Sequence, residues 1–513
     1  MIGPAHPIES PTTHVIGLAL MFLAPGLLFA AAIEWGSSTS HDEWPLIISA
    51  IICFVVGFVL NRSTVLGDDV RAVSVFSIVA WTWIVCSLFG ALPYLLGSMF
   101  AWSSWDGALF ESISGFSCTG STVLHDIESH GRGVLMWRQL TQWYGGMGMV
   151  VLAVTVLPYL GVGGLALMTA EAPGHSSDRL APRVSETARR LWLVYCGITA
   201  GVAVAIWALP GASLYDGVAH GLTTAATGGF STYNVSAGHF DSVAIEAVLI
   251  VGMVLSGISF ALHYRVATGD RMAYFRSTET MTYLRVLGIA FVILTFINWR
   301  QDLASLPTAI RDTAFTVATL GTSTGFGNVR PDGIGDFVIW GGATQIVLLV
   351  LMSVGGCVGS TSGGLKTFRM LIGSKHLVRE MRRLRHRQGV FPMKLGRDAV
   401  PEEIVASAFG FLILFFGCVL VGTLLVAATG ADLITSASAA ISAMSNMGPT
   451  LGDAGPTANF TVFTRPARLI LAGLMLIGRL EIYAIMLMFA SSVRRYNQTR
   501  RGFISRKVSR LRC

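Results

Sequence analysis

Apolar residues occur in long runs separated by polar stretches, and this alternation predicts most of the architecture. A membrane-spanning helix needs roughly 20 predominantly apolar residues, and the chain offers runs of about that length in ten places. They lie at 14–33, 45–60, 73–97, 146–168, 191–209, 243–263, 284–298, 338–355, 404–428 and 468–490. The pattern predicts an all-α integral membrane protein. No basic segment precedes the first run, so we expect it to remain in the mature chain rather than to be cleaved as a signal peptide.

Composition agrees with this assignment. Of the 513 residues, 53% are hydrophobic and only 13% are charged, and the mean hydropathy is +0.63. A soluble protein of this composition would expose large apolar patches. The seven cysteines show no CxxC spacing and most lie inside predicted spans, so neither a disulfide framework nor a zinc site is indicated.

The distribution of Lys and Arg predicts the orientation, because short basic loops stay on the cytoplasmic side. Basic residues concentrate in 171–190, 265–285, 366–397 and 494–512, and these segments and both termini are predicted to be cytoplasmic. This topology, together with anionic lipid headgroups, accounts for the net charge of +7 without nucleic-acid binding. The segments predicted to face outward are 98–133, 210–240, 300–335 and 430–462.

The four outward segments share one internal order: an amphipathic stretch of 10 to 14 residues, a polar step containing Gly, and then the next span. They read LFESISGFSCTGSTV (109–123), AHGLTTAATGGFSTY (219–233), AFTVATLGTSTGFGN (314–328) and ASAAISAMSNMGPTL (437–451). The triplets predicted to be equivalent are Cys118, Thr119 and Gly120; Ala226, Thr227 and Gly228; Ser323, Thr324 and Gly325; and Asn446, Met447 and Gly448. Met447 stands where the other three triplets have Thr.

These stretches are too short to span a bilayer, and non-helical backbone at membrane depth must be buried in protein or line water. Four half-helices, each ending in Gly, therefore predict a shared central cavity. Gly permits the backbone turns that point successive carbonyl oxygens toward one axis. Carbonyl rings replace the hydration shell of a monovalent cation, and helix C-termini favour positive charge. No Asp or Glu adjoins any triplet, whereas a divalent-cation site is expected to include carboxylates.

These motifs resemble the Trk/Ktr/HKT superfamily of potassium transporters, whose single chain folds as four potassium-channel-like repeats. Three features resemble its Trk-type uptake subunits: two extra leading spans, SGISFALHY (256–264), and GGCVGSTSGGLK (355–366) followed by GRLEIY (478–483). The resemblance extends over about 14–495 and implies potassium as the transported ion, with no organic cofactor in this chain. A Ktr-like, sodium-dependent potassium transporter subunit is the nearest alternative, and the two extra spans count against it.

The resemblance also implies a division of the chain into repeats. Two extra N-terminal transmembrane helices (1–66) precede four repeats, each a span, a pore loop and a span, around a central ion pore. The repeats are 67–175, 176–275, 276–397 and 398–495, and 496–513 forms a basic cytoplasmic tail.

The small, flexible residues of 355–366 interrupt the second helix of the third repeat. The resemblance implies that this loop crosses the pore just below the carbonyl ring and acts as a gate. The residues assigned to the gate are Gly355, Gly356, Gly359, Ser360, Thr361, Ser362, Gly363, Gly364, Lys366 and Arg479. A phosphate-binding GxxxxGK loop is the alternative, but Leu365 breaks its spacing and no strand precedes it.

Two charged residues lie inside predicted membrane segments, and an intramembrane charge is by default a functional hypothesis. The resemblance implies that Arg479 projects into the pore and repels cations, and a structural ion pair with a carboxylate on another helix is the alternative. Glu111 lies in the first short helix, where attracting ions and hydrogen bonding behind the ring both remain open.

The basic segment 366–397 follows the predicted gate and is positioned to receive a regulatory partner or lipid. The resemblance implies a cytosolic nucleotide-binding ring, a homodimer of this chain, and location in the cell inner membrane. A membrane-embedded enzyme is the alternative from another class. His125, His130 and His220 show no HExxH spacing and the chain has no GxSxG motif, so we expect no enzymatic activity.

Overall fold

The computed structural model describes residues 8–35, 42–65, 72–155, 180–301, 305–330, 333–386, 389, 391–396, 398–482 and 486. In these ranges the chain is almost entirely helical, which confirms the all-α class. The strands found there are two residues long. β1 (Ile8–Glu9) pairs in parallel with β2 (Thr64–Val65), and β3 (Lys394–Leu395) pairs antiparallel with β4 (Asp398–Ala399).

The α-helices of the described ranges follow in chain order. They are α1 (Pro11–Trp35), α2 (Glu43–Ser63), α3 (Ala72–Gly90), α4 (Leu92–Leu96), α5 (Trp105–Phe116), α6 (Arg132–Thr155), α7 (Leu180–Trp207), α8 (Leu214–Ala225), α9 (Val243–Ser256), α10 (Phe260–Ala267), α11 (Ala273–Arg276), α12 (Thr278–Arg300), α13 (Leu306–Gly321), α14 (Gly342–Val354), α15 (Thr367–Arg385), α16 (Glu402–Ala427), α17 (Leu433–Ser445) and α18 (Arg465–Arg479). Six stretches of this helical structure are long and apolar enough to span a bilayer: α1, α2, α3 with α4, α7, α12 and α16.

α1 and α2 form a tight antiparallel pair at the N-terminal end of the described chain. A Cβ placed on either Gly17 or Gly57 would lie 2.7 Å from the carbonyl oxygen of the other, so the two backbones approach as closely as only small residues permit. The pair packs through Leu20, Leu23 and Leu27 into the same apolar cluster as Trp137 of α6. The extra helices are therefore part of the folded body.

Four short helices, α5, α8, α13 and α17, contain 12, 12, 16 and 13 residues. At 1.5 Å per residue the longest reaches only about 24 Å, which is too short to span a bilayer. Three have the predicted length of 10 to 14 residues, and α13 is longer, with Pro307 in its first turn. The expectation that each ends in Gly is wrong, since only α13 does.

Two predicted spans are broken rather than continuous. The run 243–263 forms α9 and α10, which meet at an angle of 101°. The bend lies at Gly257, whose Cα packs directly against the Tyr283 hydroxyl. The SGISFALHY motif therefore forms a corner instead of a straight helix end, because Gly removes the side chain that would prevent this approach.

The other broken span is the last one. α18 ends at Arg479, and the backbone of Glu481 and Ile482 is left-handed, with φ of 54° and 53°. Arg479 therefore lies at the end of a helix, whereas the sequence predicted it in the middle of a span. The rest of the run beyond 482, apart from residue 486, lies outside the described residues.

The only α-helix in the predicted span 338–355 is α14, whose 13 residues are too few to span a bilayer. Other predicted spans differ from their helices at the ends. α6 begins at Arg132, fourteen residues before the predicted span 146–168. The apolar pattern did not include the first half of this helix because that half is polar. The part of that run beyond Thr155 lies outside the described residues. The same is true of the tail 496–513, both termini, and residues 171–179 of the basic segment 171–190.

Candidate functional site

The C-terminal ends of the four short helices carry the same backbone turn. A residue with left-handed backbone begins each turn: Cys118 (φ 54°), Thr227 (50°), Ser323 (54°) and Asn446 (51°). The N–H of the following residue then donates to the carbonyl five positions back, over 2.9 to 3.0 Å in every case. Two residues after the left-handed residue comes a left-handed glycine, with φ between 77° and 105°. The four turns are therefore equivalent in backbone geometry.

This geometry corrects one predicted triplet. We call the turns quarter 1 (118–120), quarter 2 (227–229), quarter 3 (323–325) and quarter 4 (446–448). Quarter 2 begins one residue later than the sequence alignment suggested, so Ala226 occupies the helix cap and Gly229 is the left-handed glycine. Either Gly228 or Gly229 fits the pattern, and only the backbone dihedrals distinguish them. The middle position is consequently Thr, Gly, Thr and Met, and Met447 is not its only departure from Thr.

The quarters close on one another in cyclic order. We call Gly120, Gly229, Gly325 and Gly448 the ring glycines, and the carbonyl oxygens of Thr119, Gly228, Thr324 and Met447 the ring carbonyls. A Cβ on any ring glycine would come within 2.6 Å of a ring carbonyl of the neighbouring quarter. The contacts run from Gly120 to the Gly228 oxygen, Gly229 to Thr324, Gly325 to Met447, and Gly448 to Thr119. Glycine is thus required twice, for its dihedral angle and for space.

An open cavity with about 530 Å³ of empty space lies on the side of the ring formed by residues that follow the turns. All four ring glycines line it. Its walls include backbone and hydroxyl groups from the segments after each turn, such as Ser121, Ser231 and Pro449. Among the described residues, no cluster of three or more His, Cys, Asp or Glu side chains is placed to hold a metal ion.

Glu111 of α5 is fully buried, and its carboxylate is hydrogen-bonded behind quarter 1. It pairs with the fully buried Arg138 of α6 at 2.7 Å. It also accepts the Thr122 hydroxyl at 3.0 Å and the Val123 N–H at 3.1 Å. These contacts correspond to hydrogen bonding behind the ring, one of the two roles that the sequence left open.

The segment 355–366 connects α14 to α15, so the helix is interrupted where the sequence predicted. Its polar groups contact the residues that precede the turns, on the side opposite the cavity. The Thr361 hydroxyl donates to the Ala225 carbonyl at 2.9 Å, and the Ser362 hydroxyl donates to the Thr322 carbonyl at 2.7 Å. Gly363 packs against the Ser445 carbonyl. The loop therefore touches the ends of α8, α13 and α17 directly.

The backbone of this loop requires its glycines. Gly355, Gly359 and Gly364 have φ of 69°, 78° and 74°. Lys366, at φ 64°, is buried, and its Nζ donates to the loop's own Ser362 carbonyl. That contact argues against the phosphate-binding alternative, in which the lysine must be free to reach a ligand. The element that precedes the loop is the helix α14, whereas a phosphate-binding loop follows a strand.

Arg479 links the loop to quarter 1. Its side chain is 2% exposed, and its two Nη atoms donate to the carbonyls of Thr361 and Gly145, each at 2.9 Å. One Nη also lies 3.1 Å from Cys118 Sγ. Within the described part of the chain Arg479 has no carboxylate partner, and Glu481 pairs instead with Arg369. The ion-pair alternative for Arg479 is therefore not supported.

Comparison with known proteins agrees with this arrangement. Residues 45–497 match the TrkH family of cation transport proteins. The chain belongs to the TrkH family. It is 36% identical to the Trk system potassium uptake protein TrkH of Escherichia coli K12 over 488 residues, which cover 93% of this chain and 97% of the relative. It is 38% identical to the protein of the same name from Halomonas elongata over 426 residues, covering 82% and 86%.

A solved structure is also similar. The crystal structure of the potassium transporter TrkH from Vibrio parahaemolyticus superimposes with a TM-score of 0.83 at 28% sequence identity, covering 93% of this chain and 97% of that one. Membership of a transport family is consistent with the prediction that this chain is not an enzyme, and with an integral membrane protein.

Several residues of this TrkH-family site were missed by sequence reasoning. Gly229 was hidden by the adjacent Gly228. Arg138 and Gln142 of α6 contact the backs of quarters 1 and 2, and Glu279 of α12 accepts the Val358 N–H of the loop at 2.7 Å. The sequence did contain an indication of Arg138 and Gln142, since these residues are four apart and so share one face of a helix. Polar residues at that spacing beside an apolar span indicate a buried partner.

Proposed function

We propose that this chain is the membrane subunit of a potassium uptake system and conducts K⁺ through the ring. The observation that carries the proposal is the closed cycle of four equivalent turns, whose ring carbonyls replace water around a monovalent cation. Among the described residues no carboxylate lines the cavity, and Glu111 is paired with Arg138. The names of the two relatives as potassium uptake proteins support K⁺ as the ion.

The ion-binding residues of this proposal are the backbone groups of the four quarters. They are those of Cys118, Thr119, Gly120, Thr227, Gly228, Gly229, Ser323, Thr324, Gly325, Asn446, Met447 and Gly448. The proposal assigns no ion contact to the side chains at the middle positions, since the turn is the same whether the residue there is Thr, Gly or Met.

In the same proposal, the loop 355–366 and Arg479 form the gate. The loop is held against α8, α13 and α17 by short hydrogen bonds, and against quarter 1 through Arg479. A cation within about 5 Å of the guanidinium would be repelled by about 3 kcal/mol at an effective dielectric constant of 20. Conduction therefore requires the loop and Arg479 to move together, and their shared Thr361 contact supplies that coupling.

The regulatory partner in this proposal is a cytosolic nucleotide-binding ring that docks on α15, in a homodimer located in the cell inner membrane with cytoplasmic termini. The C-terminal half of α15 supports a docking role, because Leu377, Met381 and Leu384 are 63%, 51% and 78% exposed beside a run of arginines. Binding to anionic lipid is the competing use of the same charge.

The proposal is tested by growth of a bacterial strain lacking its own potassium uptake systems, at limiting K⁺ and with Na⁺ and pH varied. The chain should restore growth at low K⁺, and a Gly229→Val variant should not, although it reaches the membrane. Restoration only when Na⁺ is added would favour the Ktr-like alternative. Failure of the wild-type chain to take up rubidium in purified, reconstituted form would overturn the proposal.

A further inference from the structure

One face of α6 lies against the backs of quarters 1 and 2. Arg138, Gln142 and Gly145 follow one another at intervals of four and three residues, so they share this face. Arg138 and Gln142 are fully buried. Gly145 packs on the Phe116 carbonyl at the end of α5. α6 is therefore the helix that supports the ring from behind in this half of the molecule.

The Gln142 amide makes two hydrogen bonds, one to quarter 2 and one to the residue that follows it. Its Nε2 donates to the ring carbonyl of Gly228 at 2.6 Å, and its Oε1 accepts the Phe230 N–H at 3.1 Å. These bonds bracket Gly229. Arg138, one turn earlier, donates to the Ser231 carbonyl at 3.1 Å and lies 4.0 Å above the Phe230 ring. Backbone groups of residues 228, 230 and 231, on both sides of the ring glycine, are thus tied to α6.

The other three ring carbonyls differ from that of Gly228. Thr119, Thr324 and Met447 are all described, and no protein donor to their carbonyl oxygens lies within hydrogen-bond distance in the described chain. The Gly228 carbonyl oxygen therefore uses one lone pair to accept the amide N–H of Gln142. The other three ring carbonyls have both lone pairs available to bind an ion.

Gln142 also explains why quarter 2 has Gly at its middle position. Gly228 has no left-handed backbone, so its dihedrals do not require glycine. A Cβ at residue 228 would instead collide with Cδ and Oε1 of Gln142. In quarters 1 and 3 the corresponding space holds a Thr side chain, bonded to Ser117 and Thr322 respectively, each at 2.6 Å. The Gln142 side chain thus takes the place of the missing Thr side chain.

We infer that Gln142 is a selectivity-determining positioning residue, whose amide fixes the orientation of the Gly228 carbonyl in the ring. The inference rests on the proposed function. Discrimination among monovalent cations depends on the number and the field of the carbonyl dipoles in a flexible ring. A carbonyl that shares an N–H is held in one direction, whereas a freed Gly228 peptide can rotate, because glycine permits both signs of φ. Losing the amide therefore reduces discrimination against the smaller Na⁺ ion more than it reduces total flux.

The first test uses the full-length protein, purified and reconstituted in liposomes, with rubidium uptake measured in competition with K⁺ and with Na⁺. Gln142→Leu should lower the K⁺ over Na⁺ preference about two- to tenfold, the range for one net hydrogen bond. Gln139→Leu is the matched control. Gln139 is also a buried glutamine of α6, but its amide atoms have no hydrogen-bond partner in the described chain, so its loss should leave the preference unchanged.

A second pair of variants separates packing from hydrogen bonding. Gly228→Ala alone should lose uptake, because its methyl group meets Gln142. Adding Gln142→Ala makes room for that methyl group without restoring the amide donor, so the double variant should regain rubidium flux but keep the reduced K⁺ preference.

The outcomes distinguish this inference from the proposed function. If wild-type protein shows no rubidium flux, the proposed function fails. If wild-type flux is selective and Gln142→Leu matches it, the inference fails alone. Should Gln142→Leu not assemble, the double variant decides: a wild-type preference overturns the inference, and a reduced preference with restored flux supports it.

Discussion

Quarters 1 and 3 differ from quarters 2 and 4 in what holds the same backbone turn in place. In quarters 1 and 3 the middle residue is Thr, and its hydroxyl bonds to the hydroxyl two residues earlier at 2.6 Å. In quarter 2 the side chain of Gln142 from α6 fills that position. In quarter 4 it is the buried Met447, packed in an apolar cluster with Leu451 and Leu351.

Side-chain hydrogen bonds reach carbonyls of quarters 2 and 4, but at different positions of the turn. The Gly228 carbonyl of quarter 2 accepts from Gln142, and the Gly448 carbonyl of quarter 4 accepts the hydroxyls of Ser121 at 3.0 Å and Ser442 at 2.9 Å. The ring is thus fourfold in backbone geometry but not in its supports: quarters 1 and 3 share one arrangement, and quarters 2 and 4 each have their own. The backbone turn depends on dihedral angles that Gly supplies, and several side-chain arrangements can stabilise it equally well.

The largest effect should follow from changing a ring glycine, and it should be the same in both kinds of quarter. Gly229→Ala and Gly325→Ala each place a methyl group on left-handed backbone and against a ring carbonyl of the next quarter. We expect loss of rubidium uptake in both variants at unchanged membrane abundance, measured in cells and in liposomes. Gly473→Ala in α18 is the control, since a Cβ there meets nothing within 4 Å. Uptake that survives in one variant but not the other would contradict fourfold equivalence of the backbone.

The next largest effect concerns the support of quarter 1. Glu111 lies seven residues before Cys118, and His220 lies seven before Thr227, so the same position carries a carboxylate paired with Arg138 in one quarter and an imidazole hydrogen-bonded to Ser231 in the next. Glu111→Gln leaves Arg138 buried without a countercharge, which costs about 3 kcal/mol or more. We expect a clearly lower thermal unfolding midpoint of the solubilised protein.

The control for this change is the exposed pair of Arg190 and Glu186, whose side chains are 46% and 61% exposed. Glu186→Gln should change stability by at most about 1 kcal/mol. Equal midpoints for the Glu111→Gln and Glu186→Gln proteins would show that the buried pair does not stabilise quarter 1.

Much of this fold follows from the hydrophobic pattern, because a span must hide its backbone from lipid and needs a fixed length to do so. The short helices were predicted for the same reason, and the interruption at 355–366 was predicted from its small, flexible residues. The bend at Gly257 and the end of α18 at Arg479 were not, since an apolar run gives no sign of where tertiary contacts break a helix. Such breaks depend on close packing, as of Gly257 on Tyr283, between segments distant in sequence.

The site was predicted less completely than the fold. The register of quarter 2 was wrong by one residue, because Gly228 and Gly229 are indistinguishable as letters and differ only in φ. The partners of Arg479, at residues 118, 145 and 361, come from three separate parts of the chain. No local pattern predicts such contacts, which arise only when the repeats close around the ring.

Arg479 offers a smaller test of the asymmetry, since within the described chain its hydrogen bonds to the four quarters reach quarter 1 alone. Arg479→Ala removes the link between the loop and Cys118 and the positive charge below the ring. We expect rubidium flux without any cytosolic partner to rise several-fold in liposomes. Arg465→Ala is the control, because that arginine is 59% exposed and pairs with Asp106 at the opposite end of α18. Unchanged flux in an assembled Arg479→Ala protein would remove Arg479 from the gate.

The smallest effect is expected at Met447, the residue that departs most visibly from Thr. Its side chain is fully buried among apolar residues, so it supports quarter 4 by packing alone. Met447→Leu keeps that packing and the backbone carbonyl, and volume-conserving swaps cost less than about 1.5 kcal/mol. Rubidium uptake and the K⁺ over Na⁺ preference should therefore match wild type.

Met447→Thr places a hydroxyl in this apolar cluster and should lower stability while leaving the preference of the assembled protein unchanged. A preference that shifts with Met447→Leu would mean that the middle side chain, and not only the backbone, tunes the ring. The difference between quarters 2 and 4 would then lie in chemistry at the ion rather than in support behind it.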